Sequence, residues 1–278
     1  MKASQAQNPF QLYAKLLQKT QSNIGPEQAH RLRTTARRMQ AFSQRMDLSR
    51  RETSVMEETE AIRKRAGKLR DIDIQLTLLE QVQTPNLKAP IGSLQQHLLE
   101  KRARFESKLN KRLKDLRKKE IGERIIAISK RMPTAPAHPG IMAEVHTDFA
   151  LLIHDHVTDP KLKTDDERLH DLRTRLKKLR YRAESAGTLP EAQKMAAQLK
   201  KAQDAIGHWH DWKELLSTAS KHLQEPNAIP LLAQIRSLTA SAHSAALQAC
   251  YILAADFNAP KKSPRAVVQT IRSHSRTA

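Results

Sequence analysis

Two segments of the chain place a histidine three residues before an arginine, with a further cation four residues later. They are His30-x-x-Arg33-x-x-x-Arg37 and His170-x-x-Arg173-x-x-x-Lys177. At about 100° per residue, each set falls on one polar stripe of a helix. Arginine clamps phosphate oxygens bidentately, lysine binds them as a point charge, and imidazole donates a hydrogen bond or titrates near pH 6.5. The spacing favours recognition of a phosphate-rich anion. If either helix is considered alone, a basic face that is only solvated is the alternative interpretation.

Each of these helices also has an apolar side. In the second segment Arg180 and Tyr181 extend the polar stripe. The opposite face carries Leu172, Leu176, Leu179, Ala183 and Ala186, and in the first segment Leu32, Ala36, Met39 and Met46 take the matching angles. We therefore expect both helices to bury one side in a core and to present the cationic stripe on the other.

The two segments lie 140 residues apart, and a second pair of motifs has the same offset. These are Gly67-x-x-Arg70-Asp71 and Gly207-x-x-His210-Asp211. Two motifs at one offset without a gap predict two copies of one helical unit, and a shared ligand would explain the repeated spacing. Because glycine inside a helix costs about 1 kcal/mol relative to alanine, both glycines indicate close helix contact. Asp71 and Asp211 are expected to pair with arginine or histidine and to fix its orientation.

Helical periodicity dominates the rest of the chain, which predicts an all-α fold. The expected helices are Pro9–Thr20, Pro26–Met46, Ser49–Gln83, Ile91–Lys119, Ile121–Arg131, Ile141–Val157, Asp166–Ala186, Pro190–His222 and Ala228–Asp256. Residues 132–140 contain three prolines and a glycine and form the best linker. Long helices with short loops pack as antiparallel bundles, so we expect one bundle in 9–131, one in 141–257, and a flexible basic tail over 258–278.

Charge indicates the class of partner. The chain has 49 Lys and Arg against 29 Asp and Glu, a net charge of +20, of which residues 1–140 hold +15. Such an excess predicts a polyanionic partner, although the very basic helix Lys101–Lys119 is as well explained by solubility.

Cys250 stands alone, which excludes an intramolecular disulfide and a thiolate-rich metal site. We find no signal peptide or membrane span and expect a cytoplasmic protein.

These motifs resemble the CHAD family, the conserved histidine α-helical domain. Leu169-His170 through Arg180-Tyr181 matches the family's first motif, the two Gly-x-x-x-Asp elements are similar to its second, and the resemblance runs from about Pro9 to Asp256. It implies a single domain of two four-helix bundles related by a pseudo-twofold axis. It also implies binding of long-chain inorganic polyphosphate in a basic groove or pore, and association with polyphosphate granules. Its implied ligand contacts form a first cluster (His30, Arg33, Arg37 and Arg70) and a second cluster (His170, Arg173, Lys177, Arg180 and Tyr181).

The first copy departs from the family motif, with Gln40 and Ala41 in place of the usual Arg and Tyr. In the second copy His210 replaces the expected Arg or Asn, which leaves its role open. The main alternative function is binding of RNA or DNA without sequence specificity, because a chain of this charge holds any phosphate backbone to some degree.

An enzyme is not expected. His154-Asp-His156 and His208-Trp-His210-Asp211 suggest metal ligands, but neighbouring side chains on a helix diverge, so neither cluster converges by itself. No glycine-rich phosphate loop and no nucleophile motif occurs. The sequence therefore predicts no catalytic residues, no metal and no cofactor, and it leaves the oligomeric state open.

Overall fold

The computed structural model describes residues 8–20, 24–43, 46–82, 87–131, 140–186 and 189–258. The protein is all-α, as the sequence predicts, and no strand occurs within these ranges. The α-helices are α1 (Pro9–Lys19), α2 (Pro26–Ser43), α3 (Arg50–Leu79), α4 (Lys88–Lys118), α5 (Ile121–Ser129), α6 (Ile141–Leu152), α7 (Asp166–Ser185), α8 (Pro190–His222) and α9 (Ile229–Asn258).

A few helix ends differ from the predicted ones. The helix expected over Ile141–Val157 ends at Leu152, where a π-helical turn (Ile153–Val157) replaces it. Helix α4 begins three residues earlier than expected, because Pro90 fits a first turn, where its missing N–H would have no partner. Asn258 belongs to α9 and not to the tail. Residues 132–139 of the expected linker and the tail residues 259–278 lie outside the described ranges.

Contacts divide the chain into two compact units. The first contains residues 1–136 and 210–240, and the second contains 137–209 and 241–278. Helices α2 and α7 begin 140 residues apart, and α3 and α8 do the same. These equal spacings support the internal repeat, which stays a prediction, as do the bundle boundaries and the pseudo-twofold axis.

The core of the first unit draws on α1 to α5. Helix α1 contributes the fully buried Phe10 and Tyr13, and α2 contributes Leu32, Ala36 and Met39 from the face that the sequence assigns to the core. Leucines of α4 and isoleucines of α5 complete it. Each fully buried leucine of this kind stabilises the fold by about 1.5–3 kcal/mol. The packing thereby fixes which side of α2 remains outside.

Helix α7 shows the same division in the second unit. Its predicted core residues, Leu172, Leu176, Leu179, Ala183 and Ala186, are all buried. Asp165 caps the helix, since its side chain accepts hydrogen bonds from the backbone N–H groups of Glu167 and Arg168. The cap satisfies backbone donors that the first turn leaves unpaired. Burial and capping together fix the rotation and the start of the helix that carries the second cluster.

The single cysteine lies in the protein interior. Cys250 of α9 is fully buried, and burial raises the pKa of its thiol to about 12. At neutral pH this sulfur is therefore a protonated core group and not a nucleophile. Among the helices in the described ranges, none combines the length and the hydropathy that a membrane span requires.

Helix α3, which carries Gly67 and Arg70, starts with a reciprocal cap. The Ser49 hydroxyl accepts from the Glu52 N–H, and the Glu52 carboxylate accepts from the Ser49 N–H at 2.9 Å. That backbone hydrogen bond, with a side-chain hydrogen bond from Arg131, lowers the pKa of Glu52 to about 2. The cap thus remains charged at any pH well above 2.

We expect Ser49→Ala to lower the free energy of unfolding by about 1 kcal/mol, because it removes the cap acceptor. The matched control is Ser54→Ala at an exposed position of the same helix, where alanine is the better helix former. Urea unfolding at pH 7 measures both changes. Equal stability of the two variants would contradict the role assigned to Ser49.

Candidate functional site

The first cluster gathers on α2 and α3 of the first unit. His30 is exposed, and Arg33, Arg37 and Arg70 are half-buried around it. The pKa of His30 lies below its usual value, first because of partial desolvation and then because of the positive charges of Arg70, Arg33 and Arg37, which outweigh Glu27. The structure therefore brings the four predicted residues within electrostatic range of one another.

Arg33 is held against the next helix at a glycine. A methyl group placed on Gly67 of α3 would lie 3.6 Å from Arg33 Nε and 3.9 Å from its Cδ. Arg33 Nη1 also lies 3.9 Å from an Asp71 carboxylate oxygen, at the limit of an ion pair. The expected pairing of Asp71 is thus confirmed, and so is close helix contact at Gly67. Both residues orient a guanidinium of the first cluster.

The second cluster lies along a single helix, α7. His170 is exposed, while Arg173, Lys177, Arg180 and Tyr181 are half-buried. Arg180 stacks its guanidinium carbon 4.8 Å from the centre of the Tyr181 ring and lies 3.6 Å from a carboxylate oxygen of Glu184. The tyrosine ring thereby supports the guanidinium group of Arg180. That Tyr181 also contacts a ligand stays a prediction.

Arg173 repeats the glycine contact in the second unit. A methyl group on Gly207 of α8 would lie 3.3 Å from both Nε and Nη2 of Arg173. In each unit, therefore, the arginine of the His-x-x-Arg motif lies against the glycine of the Gly-x-x-x-Asp motif. The sequence indicates that the glycines make close contacts, but only the fold identifies their partner.

Two arginines of the second cluster are partly desolvated. The Nε atoms of Arg173 and Arg180 are buried and have no hydrogen-bond partner among the described residues. An unsatisfied buried donor costs about 1–3 kcal/mol, so packing holds these groups in place at an expense in folding free energy.

The histidine pairs considered as metal ligands have other surroundings. His156 Nε2 lies 3.0 Å from Asp171 Oδ2, and Arg175 donates to the same oxygen at 2.8 Å. Although partial burial raises the pKa of Asp171, the two hydrogen bonds outweigh it and lower that pKa. His154 is exposed. Within the described ranges, no group of three or more His, Cys, Asp or Glu could hold a metal ion.

Fold and site together define a helical protein with a repeated motif on two helices, in which a histidine is followed by cations on the same helix face. The chain matches the family model of the CHAD domain over residues 11–219, and it belongs to the CHAD family. The matched range stops before α9, which the motif resemblance includes up to Asp256. Neither a comparison with curated proteins nor one with solved structures gives a significant match.

The two glycine contacts differ in tightness, which predicts different responses to alanine. Gly67→Ala places its methyl group at an ordinary contact distance from Arg33, so we expect a gain of roughly 0.5–1 kcal/mol from helix propensity. In Gly207→Ala the methyl group presses on Arg173, so the gain should be smaller. Urea unfolding of both variants tests this order. An equal or larger gain for Gly207→Ala would contradict the tighter contact.

Proposed function

We propose that the protein binds long-chain inorganic polyphosphate through the first and second clusters. Members of the CHAD family bind this polymer. Polyphosphate presents repeated negative charge and no bases, so its binder needs converging cations and hydrogen-bond donors. The clusters supply arginine, lysine and imidazole, the first from α2 and α3 and the second from α7. Their residues are the binding residues of this proposal. Binding to polyphosphate granules and a cytoplasmic location are the cellular part of the same proposal.

The observation that carries the proposal is the gathering of cations at His30, where Arg33 and Arg37 of α2 meet Arg70 of α3. Partial desolvation lowers the pKa of His30, and so do the charges of these three guanidinium groups, which outweigh that of Glu27. Gathered positive charge of this kind favours the binding of an anion. A polymer with charge on every unit relieves it more fully than an isolated phosphate, because several cations are neutralised together.

Arrangement of the aromatic residues favours polyphosphate over RNA. Binders of single-stranded nucleic acid stack bases on exposed aromatic rings. Here five aromatic side chains are buried in the cores, namely Phe10, Tyr13, Phe149, Trp209 and Trp212. Phe105 and Phe257 are half-buried and Tyr251 is exposed, and none of these three belongs to either cluster. Tyr181, the one aromatic residue of the second cluster, stacks with Arg180. The clusters therefore offer charge and hydrogen bonds without a base-stacking surface.

The cluster variant carries Arg173→Ala and Lys177→Ala together. We expect it to bind long-chain polyphosphate roughly tenfold more weakly or worse, because two phosphate contacts are lost. Calorimetric titration at moderate salt measures the change, with single-stranded RNA as a second ligand. Wild type should prefer polyphosphate to RNA at equal phosphate concentration.

The matched control is Arg175→Ala with Lys178→Ala, which removes the same charge from exposed positions of the same helix away from the cluster. It should weaken binding much less than the cluster variant does. If the two double variants bind equally well, total charge and not the cluster determines affinity. If RNA and polyphosphate compete equally, the protein is a general polyanion binder.

Binding should also depend on pH through His30. Partial desolvation and the nearby arginines lower the pKa of His30, and a bound polyanion offsets the charge of the arginines and so raises that pKa. Binding therefore takes up a proton, and affinity should rise as the pH falls from about 7.5 to 5.5. His30→Gln should flatten that rise, whereas His154→Gln, at an exposed histidine of the second unit, should leave it unchanged. Titrations at three pH values test this. An unchanged pH profile in His30→Gln would contradict the role of His30.

A further inference from the structure

A basic groove in the first unit lies beside the first cluster and extends beyond it. It has a volume of about 540 Å³, within the range of about 300–1,000 Å³ typical of ligand pockets. It lies along α3 and reaches α2 and α4, and we call it the α3–α4 groove. Its cationic lining consists of Arg33, Arg63, Lys64, Arg65, Lys68 and Lys108, against one carboxylate, Asp71.

Half of this positive charge is already engaged within α3. Arg63 and Lys64 share the carboxylate of Glu60, at 2.5 Å and 3.7 Å. Arg65 donates to the backbone oxygen of Ala61. Lys68 and Lys108, by contrast, are exposed and form no ion pair with any carboxylate in the described part of the chain. These two lysines are therefore the charges of the groove that a ligand can neutralise at least cost.

Phe105 of α4 contacts both lysines. Its ring is half-buried, and Nζ of Lys68 and of Lys108 lies 5.5 Å and 5.7 Å from the ring centre. An ammonium group at this distance is attracted by the ring's negative face. The ring thus supports one ammonium group from α3 and one from α4, and all three side chains line the groove.

Three arginines of α4 are bound within the protein. Arg102 pairs with Asp73 and Glu106, Arg112 pairs with Glu58, and Arg117 donates to the backbone oxygen of Thr20. Lys108 differs from them because it faces the groove next to an aromatic ring. Three of the positive charges of this helix therefore serve internal contacts, whereas Lys108 faces the open groove.

The predicted repeat does not preserve the residues of the groove. At the predicted offset of 140 residues, His208, Ala245 and Gln248 stand where the groove has Lys68, Phe105 and Lys108. None of these three positions keeps the groove's residue type, whereas the arginine and glycine of the two motifs occur in both copies. In sequence, the groove is thus an addition to the repeated motifs and not a copy of one.

We propose that the α3–α4 groove is a second binding segment for polyphosphate, which continues the path of a chain held by the first cluster. Arg33 belongs to both surfaces, so a bound chain can pass from His30 and Arg70 across Arg33 to Lys68 and Lys108. This inference rests on the proposed function. It implies that the first unit distinguishes long chains from short ones, because only a long chain reaches both surfaces.

The test uses two double variants. The groove variant carries Lys68→Ala and Lys108→Ala together. The matched control carries Lys114→Ala and Lys118→Ala, at exposed positions of α4 outside the groove. Each double variant of the full chain is titrated with long-chain polyphosphate and with tripolyphosphate at several salt concentrations. For long chains the groove variant should bind roughly three- to thirtyfold more weakly, and its log–log salt slope should fall by about 2. Its affinity for tripolyphosphate, and the control's affinity for both ligands, should stay close to wild type.

Equal weakening by the two double variants would overturn the groove assignment, and so would equal weakening for long and short chains. A third double variant, His30→Gln with Arg37→Ala, separates the two proposals. If it weakens the binding of long chains and the groove variant does not, only the assignment of the groove is overturned. If wild type does not bind long chains, both proposals fail.

A further variant, Phe105→Leu, keeps an apolar side chain without the π face and tests the role of the ring. It should weaken long-chain polyphosphate binding slightly, because the two lysines lose their common support. A loss of affinity for single-stranded RNA larger than that for polyphosphate would identify the ring as a base-stacking surface and overturn the proposal.

Discussion

The contact between an arginine of one helix and a glycine of the next sets the geometry of both clusters. Arg33 lies against Gly67, and Arg173 lies against Gly207, because the missing side chain leaves room for a guanidinium group. The neighbouring cations follow on the same helix faces, whose rotation is fixed by the buried leucines behind them. Each glycine costs about 1 kcal/mol in helix propensity. In return, its missing side chain leaves the space that the arginine occupies.

Gathered positive charge is a cost that the rest of the fold must offset. Partial desolvation and three guanidinium groups lower the pKa of His30, and two buried Nε atoms in the second unit have no described hydrogen-bond partner. The hydrophobic cores and helix caps stabilise the helices that carry these groups. Under the proposed function, the charged faces of α2 and α7 would bind the ligand while their apolar faces stabilise the fold.

Much of this architecture is predictable from the sequence, because helix ends and core faces depend on local patterns. Leu172 and Leu176 are buried as their spacing predicts, and Asp71 lies beside an arginine. The partner of Gly67 was not predictable, since it depends on how α2 crosses α3. The grouping of Lys68, Lys108 and Phe105 was hidden for a different reason: α4 is cationic nearly all round, so its pattern marks no single face. The change from α6 to a π-helical turn likewise has no local signal.

Burial of Cys250 gives the second unit a built-in reporter. The sulfur reacts with a thiol reagent only when α9 detaches from its neighbours, because the folded unit both shields it and keeps it protonated. At a reagent concentration high enough that the open state reacts faster than it recloses, its labelling rate therefore measures the frequency of local opening. Since the chain contains no second cysteine, that rate can be followed in the unmodified protein, without mutations near either cluster.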